Sequence, residues 1–200
     1  GAVAMFGERA SGANLAGLIW GRELSEATDD RRYSDLIVDV ANRYRPGVDG
    51  GAPPPCDPDF RTEDMFMAGA MLGRAFEITG EDRYLDLLVR FIIDGGIQQE
   101  NGLFWHCRPA HFYWGRGNGF AAMGLTETLT FLPENYPGRD AVVAMYRRLL
   151  DGLVKIQNPS GMLTEVLDIP GSYQELTATC MLGYSLARGL RRGWLGPSYQ

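Results

Sequence analysis

The sequence predicts an all-α fold, an α/α toroid of the six-hairpin barrel type, in one domain over residues 1–200. Three observations carry that expectation. Apolar residues recur at helical spacing along most of the chain. Two stretches repeat about fifty residues apart, the length of one helical hairpin. Thr62 to Thr79 is apolar nearly all round, as a helix flanked on both sides must be.

Taken in order, Ala13 to Thr28 carries Leu15, Leu18, Ile19 and Trp20 at helical spacing and stops at Thr28-Asp29-Asp30. Arg31 to Tyr44 follows as a helix with Leu36, Ile37, Val40 and Ala41 on one face, and Gly47 to Pro58 is a Gly- and Pro-rich loop. Thr62 to Thr79 is the third helix, with Thr62 as its expected N-cap, and Glu81 to Ile93 the fourth. Three more are expected near Gly119 to Leu132, Arg139 to Gln157 and Gln174 to Arg191.

The repeat pairs Glu26-Ala27-Thr28-Asp29-Asp30-Arg31-Arg32-Tyr33 with Glu77-Ile78-Thr79-Gly80-Glu81-Asp82-Arg83-Tyr84. A second echo pairs Ile97 to Phe104 with Ile156 to Leu163: a helix ends, a glycine turn follows, and a strand-like segment leaves it. Repeating hairpins stack as a solenoid or close as a toroid. Inner helices flanked on both sides favour the toroid, with the strand-like segments lining one mouth. Six hairpins would need roughly 300 to 350 residues at this repeat length. The chain supplies about four, so an incomplete barrel is expected.

Composition narrows the partners. A hydrophobic fraction of 45% is that of a folded globular domain, and a net charge of −6 disfavours nucleic acid or an anionic membrane. The three cysteines are scattered, without metal-ligand spacing, so neither a disulfide framework nor a metal site is expected, and no cofactor motif is seen. Reduced thiols suggest the cytoplasm; Gly1-Ala2-Val3 is not a natural start, so a leader lost ahead of it stays open.

The chemistry concentrates in His106 to Phe120, which holds both histidines, Arg108, Arg116 and the alternating Gly115, Gly117 and Gly119. Alternating glycines permit positive φ and close approach. Either arginine could grip a carboxylate with two parallel hydrogen bonds, and Phe112, Tyr113 and Trp114 offer faces for a sugar ring. Upstream, Glu63-Asp64 opens the third helix beside Met65, Phe66 and Met67. Apolar surroundings and a neighbouring carboxylate raise an acid's pKa towards the range a general acid needs.

Glu63-Asp64-Met65-Phe66-Met67, Phe104-Trp105-His106, His111 to Phe120 and Gly171-Ser172-Tyr173-Gln174-Glu175 together resemble the unsaturated rhamnogalacturonyl hydrolases, glycoside hydrolase family 105, in order and spacing. The resemblance implies an α/α toroid that removes a 4,5-unsaturated uronic acid from the non-reducing end of pectin-type oligosaccharides. An acid protonates C4, water adds at C5, and the hemiketal opens and expels the aglycone. By the same resemblance the acid falls on Glu63, with Asp64 beside it tuning or capping. His106, Trp114 and Arg116 fall on an active-site histidine, a sugar-stacking residue and a polar residue; Arg108, His111, Asn118, Tyr173 and Glu175 complete the expected substrate-binding set. The family's usual acid is aspartate, its residue two before the acid is tryptophan where Arg61 stands, and its second carboxylate falls near Ala13-Asn14, where no acid is present. Two other readings fit these residues: a toroid enzyme of different chemistry, an epimerase or inverting hydrolase using Glu165 or Glu175 as a second acid, or a non-catalytic helical module.

Overall fold

The computed structural model describes residues 12–199. Its α-helices are α1 (Gly21–Thr28), α2 (Arg32–Ala41), α3 (Thr62–Thr79), α4 (Arg83–Asp94), α5 (Gly115–Phe131), α6 (Arg139–Lys155) and α7 (Leu176–Arg191). A 3₁₀ segment, Gly12–Leu18, precedes α1, and another, Pro197–Tyr199, follows α7. Two short strands, β1 (Leu163–Thr164) and β2 (Gln174–Glu175), pair antiparallel with Leu163 opposite Glu175.

The helices form two layers. Gly12–Leu18 and α1, then α3, α5 and α7, make the inner row; α2, α4 and α6 back them on the outside. The outer helices are amphipathic, as their one-sided environment requires. In α4, Tyr84, Leu85, Leu88, Val89, Phe91 and Ile92 face inward while Arg90 and Asp94 face water. α3 is different: every residue from Asp64 to Gly73 is buried, because the segment Gly12–Leu18, α2, α4 and α5 cover it from several sides. Burying a side chain such as Met71 or Leu72 there contributes about 1.5–3 kcal/mol.

Both sequence echoes have a physical basis in the joints. At the first, α1 ends in Asp29 with φ 55° and α3 ends in Gly80 with φ 71°, both left-handed. Thr28 and Thr79 each donate their hydroxyl to the carbonyl four residues back, Leu24 and Ala75. The acids that follow, Asp30 and Glu81, pair with Arg32 and Arg83. At the second, Gly102 and Gly161 are left-handed and donate to Gln99 O and Asn158 O, while Gln99 N and Asn158 N donate to Leu103 O and Met162 O. These are two copies of the same turn.

Several boundaries differ from expectation. The predicted helix from Ala13 to Thr28 is interrupted at Ile19-Trp20, between the 3₁₀ segment and α1. α5 starts at Gly115, four residues earlier than predicted, and Gln174–Glu175 pairs as β2 before α7 begins. Thr62 is the first helical residue of α3 and not its N-cap; the extended Arg61 occupies that place without a side-chain cap bond. Among the described residues α1 and α7 make no substantial contact, so the hairpins form an open arc.

α3 and α5 run parallel and cross closely. A Cβ at Gly124 would stand 2.4 Å from the carbonyl carbon of Met65 and 2.6 Å from its oxygen, and one at Gly69 would meet Gly124 O at 3.2 Å. A backbone neighbour cannot swing aside, so Gly124→Ala should force the helices apart. The expected cost is about 1–3 kcal/mol, read as a lowered denaturant midpoint. Unchanged stability would mean that the crossing is looser than described.

Candidate active site

The inner helices α3, α5 and α7 run the same way, so their N-termini gather at one end of the arc, beside the β1–β2 ribbon. Three backbone bonds hold that end together. Thr62 N donates to His106 O at 3.1 Å, Gly115 N to Glu165 O at 2.7 Å and Leu167 N to Tyr113 O at 2.9 Å. They bring Glu63, His106, Trp114, Arg116, Glu165 and Glu175 together from four separate parts of the chain.

Adjacent residues on a helix point about 100° apart, and the paired acids obey that geometry. Glu63 turns toward the mouth: its carboxyl lies 3.3 Å from His106 Nε2 and accepts from Thr62 Oγ1 at 3.1 Å. Asp64 turns inward and back, accepting from Asp57 N at 2.7 Å, and it is 7% exposed. Burial pushes the Asp64 carboxyl up from 3.8 to about 6; the Asp57 N–H bond opposes this, and the charges of Asp57 and Glu63 add to it. The two jobs are thus divided, with Glu63 at the opening and Asp64 fastening the loop below.

His106 is framed by aromatic edges, Trp114 at 5.2 Å and Phe112 at 5.4 Å between ring centroids. Trp114 donates its indole N–H to Glu165 at 3.0 Å, and the Arg116 guanidinium lies over the same ring, 4.8 Å from its centre. Arg116 also donates to Glu175 at 2.9 Å, with Glu165 4.0 Å away. Glu175 is buried and caps α7 by accepting from Ala178 N. Tyr173 is exposed, and hydrogen bonding to Glu165 raises its phenol pKa above the usual value.

The remaining expected site residues are engaged elsewhere. The Arg108 guanidinium donates to the carbonyls of Gly95, Gly50 and Asp94 and covers the Phe60 ring at 3.9 Å, so it ties loops together. His111 stacks on Trp105 at 3.7 Å and its Nε2 lies 2.7 Å from Arg108 O. Asn118 is fully buried, and its amide bonds both N and O of Phe104 and the Trp114 carbonyl. It fastens the segment before the site to the first turn of α5. The glycines also correct their reading: none of Gly115, Gly117 and Gly119 has positive φ. They are helical, and a Cβ would meet Thr164 O at 2.1 Å, Thr62 Oγ1 at 2.8 Å and Met181 Sδ at 2.6 Å respectively. Close approach alone requires them. Ala13-Asn14, where a second carboxylate would fall, belongs to the 3₁₀ segment; of the two, only the Asn14 side chain lies within the described residues.

Among the described residues no group of three or more His, Cys, Asp and Glu could hold a metal ion, and no helix is long and apolar enough to cross a membrane. Cys56, Cys107 and Cys180 are free thiols.

A layered arc of hairpins with an acid at the mouth of an inner helix is the architecture of an α/α toroid. The chain belongs to Glycosyl Hydrolase Family 88, whose sequence profile matches residues 62–200. It is 29% identical over 136 residues to the unsaturated rhamnogalacturonyl hydrolase YesR of Bacillus subtilis, covering 62% of this chain and 39% of that protein. It is 25% identical over 147 residues to an unsaturated 3S-rhamnoglycuronyl hydrolase of an Alteromonas species, covering 66% and 35%. A solved family 105 glycoside hydrolase of C. acetobutylicum superimposes with a TM-score of 0.77 at 22% identity, over 92% of this chain and 58% of that one. The chain thus spans well under half the length of these two curated relatives and a little over half of the solved structure.

Folded Asp64 keeps its proton up to about pH 6, whereas the unperturbed carboxyl releases it near 3.8. The folded state therefore binds the proton more tightly than the unfolded chain, and stability falls as pH rises from about 4 to 6, then levels. Asp64→Asn keeps an acceptor for Asp57 N and has no proton to lose. It should flatten this slope and be the more stable form at pH 7, by on the order of 2–3 kcal/mol. Denaturant unfolding of both forms at pH 4 and pH 7 measures this; parallel pH profiles would contradict the assignment.

Proposed function

We propose that this chain carries the catalytic mouth of an enzyme that removes a 4,5-unsaturated uronic acid from the non-reducing end of a pectin-type oligosaccharide. The observation that carries the reading is the Glu63–His106 pair at 3.3 Å beneath the Trp114 edge, at an inner-helix N-terminus of a family 88 chain. In this reading Glu63 donates its proton to C4 of the vinyl ether. The charge that develops at C5 and the ring oxygen is met by water, and the Glu63 carboxylate takes a proton from that water. The hemiketal then opens and releases the aglycone as an alcohol. No covalent glycosyl-enzyme is formed, so the paired-carboxylate spacing of ordinary glycosidases is not needed.

His106 orients the Glu63 carboxyl, which the proton taken from water returns to its acid form. Trp114 gives the ring a flat apolar neighbour. Arg116, held over that ring, offers its remaining donors to the substrate carboxylate, while Tyr173 and Glu175 shape the edge of the same opening. The partner is thus an unsaturated uronyl oligosaccharide, and neither a metal nor a cofactor has a part in the scheme. In this reading the three free thiols favour a reducing compartment such as the cytoplasm.

Hydration destroys the conjugated chromophore, so turnover of an unsaturated uronyl disaccharide is read as loss of ultraviolet absorbance. Glu63→Gln keeps size but cannot deliver the proton, and kcat should fall about 10²- to 10⁴-fold. Asp64→Asn should keep most of the rate. A dead Asp64→Asn beside an active Glu63→Gln would move the acid by one residue, and full rate in both would remove it from this helix.

A further inference from the structure

Thr62 holds both members of the pair at the mouth. It donates its backbone N–H to His106 O at 3.1 Å and its hydroxyl to Glu63 Oε2 at 3.1 Å. Thr62 is fully buried, whereas the Glu63 side chain is 28% exposed, so the acid is steadied from the closed side and open on the other. The hydroxyl has little room to move: a Cβ at Gly117 would stand 2.8 Å from Thr62 Oγ1, so α5 carries no side chain where this hydroxyl packs. Glu63 is the only hydrogen-bond partner of that hydroxyl among the described residues. A buried O–H left without an acceptor is unfavourable, so Thr62 donates and Oε2 accepts. His106 Nε2 lies 3.3 Å from both Glu63 oxygens and does not tell them apart. The Thr62 hydroxyl does.

Resting on the reading given under Proposed function, we propose that Thr62 is a positioning residue: its hydroxyl reserves Oε2 of Glu63 as an acceptor, so that the acid carries its proton on Oε1. The carbonyl oxygen of a carboxylic acid is its better acceptor, and the oxygen bound to Thr62 takes that role. Oε1–H then gives its proton to C4, and the carboxylate so formed keeps the Thr62 bond. The proton taken from the adding water returns to Oε1, which restores the acid. Thr62 exchanges no proton and, being buried, meets no substrate; it acts through Glu63. Without the hydroxyl, the Glu63 carboxyl can turn about its last bond, and its proton is divided between two oxygens of which one is placed to deliver it.

The test compares turnover of an unsaturated uronyl disaccharide by the 200-residue chain and by its Thr62→Val and Thr62→Ser variants. Valine keeps the branched shape and the backbone N–H to His106 O but has no hydroxyl. Its kcat should fall about 10- to 100-fold with KM within about twofold, as expected when a charged hydrogen bond that fixes a reacting group is lost. Serine restores the hydroxyl and should bring kcat back to within about threefold of the parent. In a Glu63→Gln background no proton is delivered from this position, so adding Thr62→Val should change the residual rate by less than about twofold. A hydroxyl that served packing alone would cost the same factor in both backgrounds. That result, full kcat in Thr62→Val, or a serine variant as slow as the valine one overturns the proposal and leaves the broader reading standing. No turnover by the parent chain would overturn both.

Discussion

The close parallel crossing of α3 on α5 is the constraint on which the rest depends. It exists because Gly69, Gly117 and Gly124 leave out the atoms that would collide with Thr62, Met65 and the facing backbone. With the two helices this near, Thr62 N reaches His106 O, and the segment entering α5 is pinned to the start of α3. Asn118 then locks Phe104 to the first turn of α5. Glu63 and His106, forty-odd residues apart in the chain, come within hydrogen-bonding distance as a result. A wider crossing would separate them.

The mouth is assembled from element ends, which suits its chemistry. Helix N-termini present free N–H groups and a favourable field for carboxylates, and Glu63, Asp64 and Glu175 all sit at such ends. The division between the first two follows from rotation about the helix. The side chain facing the opening meets the imidazole, and the next one meets the Asp57 N–H in a dry interior. Desolvation raises the pKa of Asp64, the carboxyl that fastens the loop, while Glu63 faces the mouth.

How much of this was legible in the sequence depends on whether the cause was local. The hairpin joints were readable because each is built from neighbours: a left-handed residue, a threonine bonding back four positions, and an acid paired with the arginine two residues on. The all-round apolar α3 was readable for the same reason. The start of α5 was not, because Gly115, Gly117 and Gly119 resemble loop glycines until Thr164, Thr62 and Met181 are seen against them. Arg108 and Asn118 were expected to face substrate, yet their donors are taken by carbonyls of Gly95, Asp94, Phe104 and Trp114, partners no spacing reveals. The pairing of Glu63 with His106 was visible only through the order of motifs it shares with a family. Glu165 was legible only as a candidate second acid for a different chemistry, because its bond to the Trp114 indole joins segments 51 residues apart.

The central claim is that Glu63 protonates a sugar double bond and that water then adds to it. Turnover of an unsaturated uronyl disaccharide in heavy water tests this at the reacting atoms. The account predicts a released 4-deoxy uronate carrying one deuterium at C4, assigned by proton NMR, with none at the other ring carbons. Release of a uronic acid whose C4–C5 double bond is intact, or a product without deuterium at C4, would contradict it.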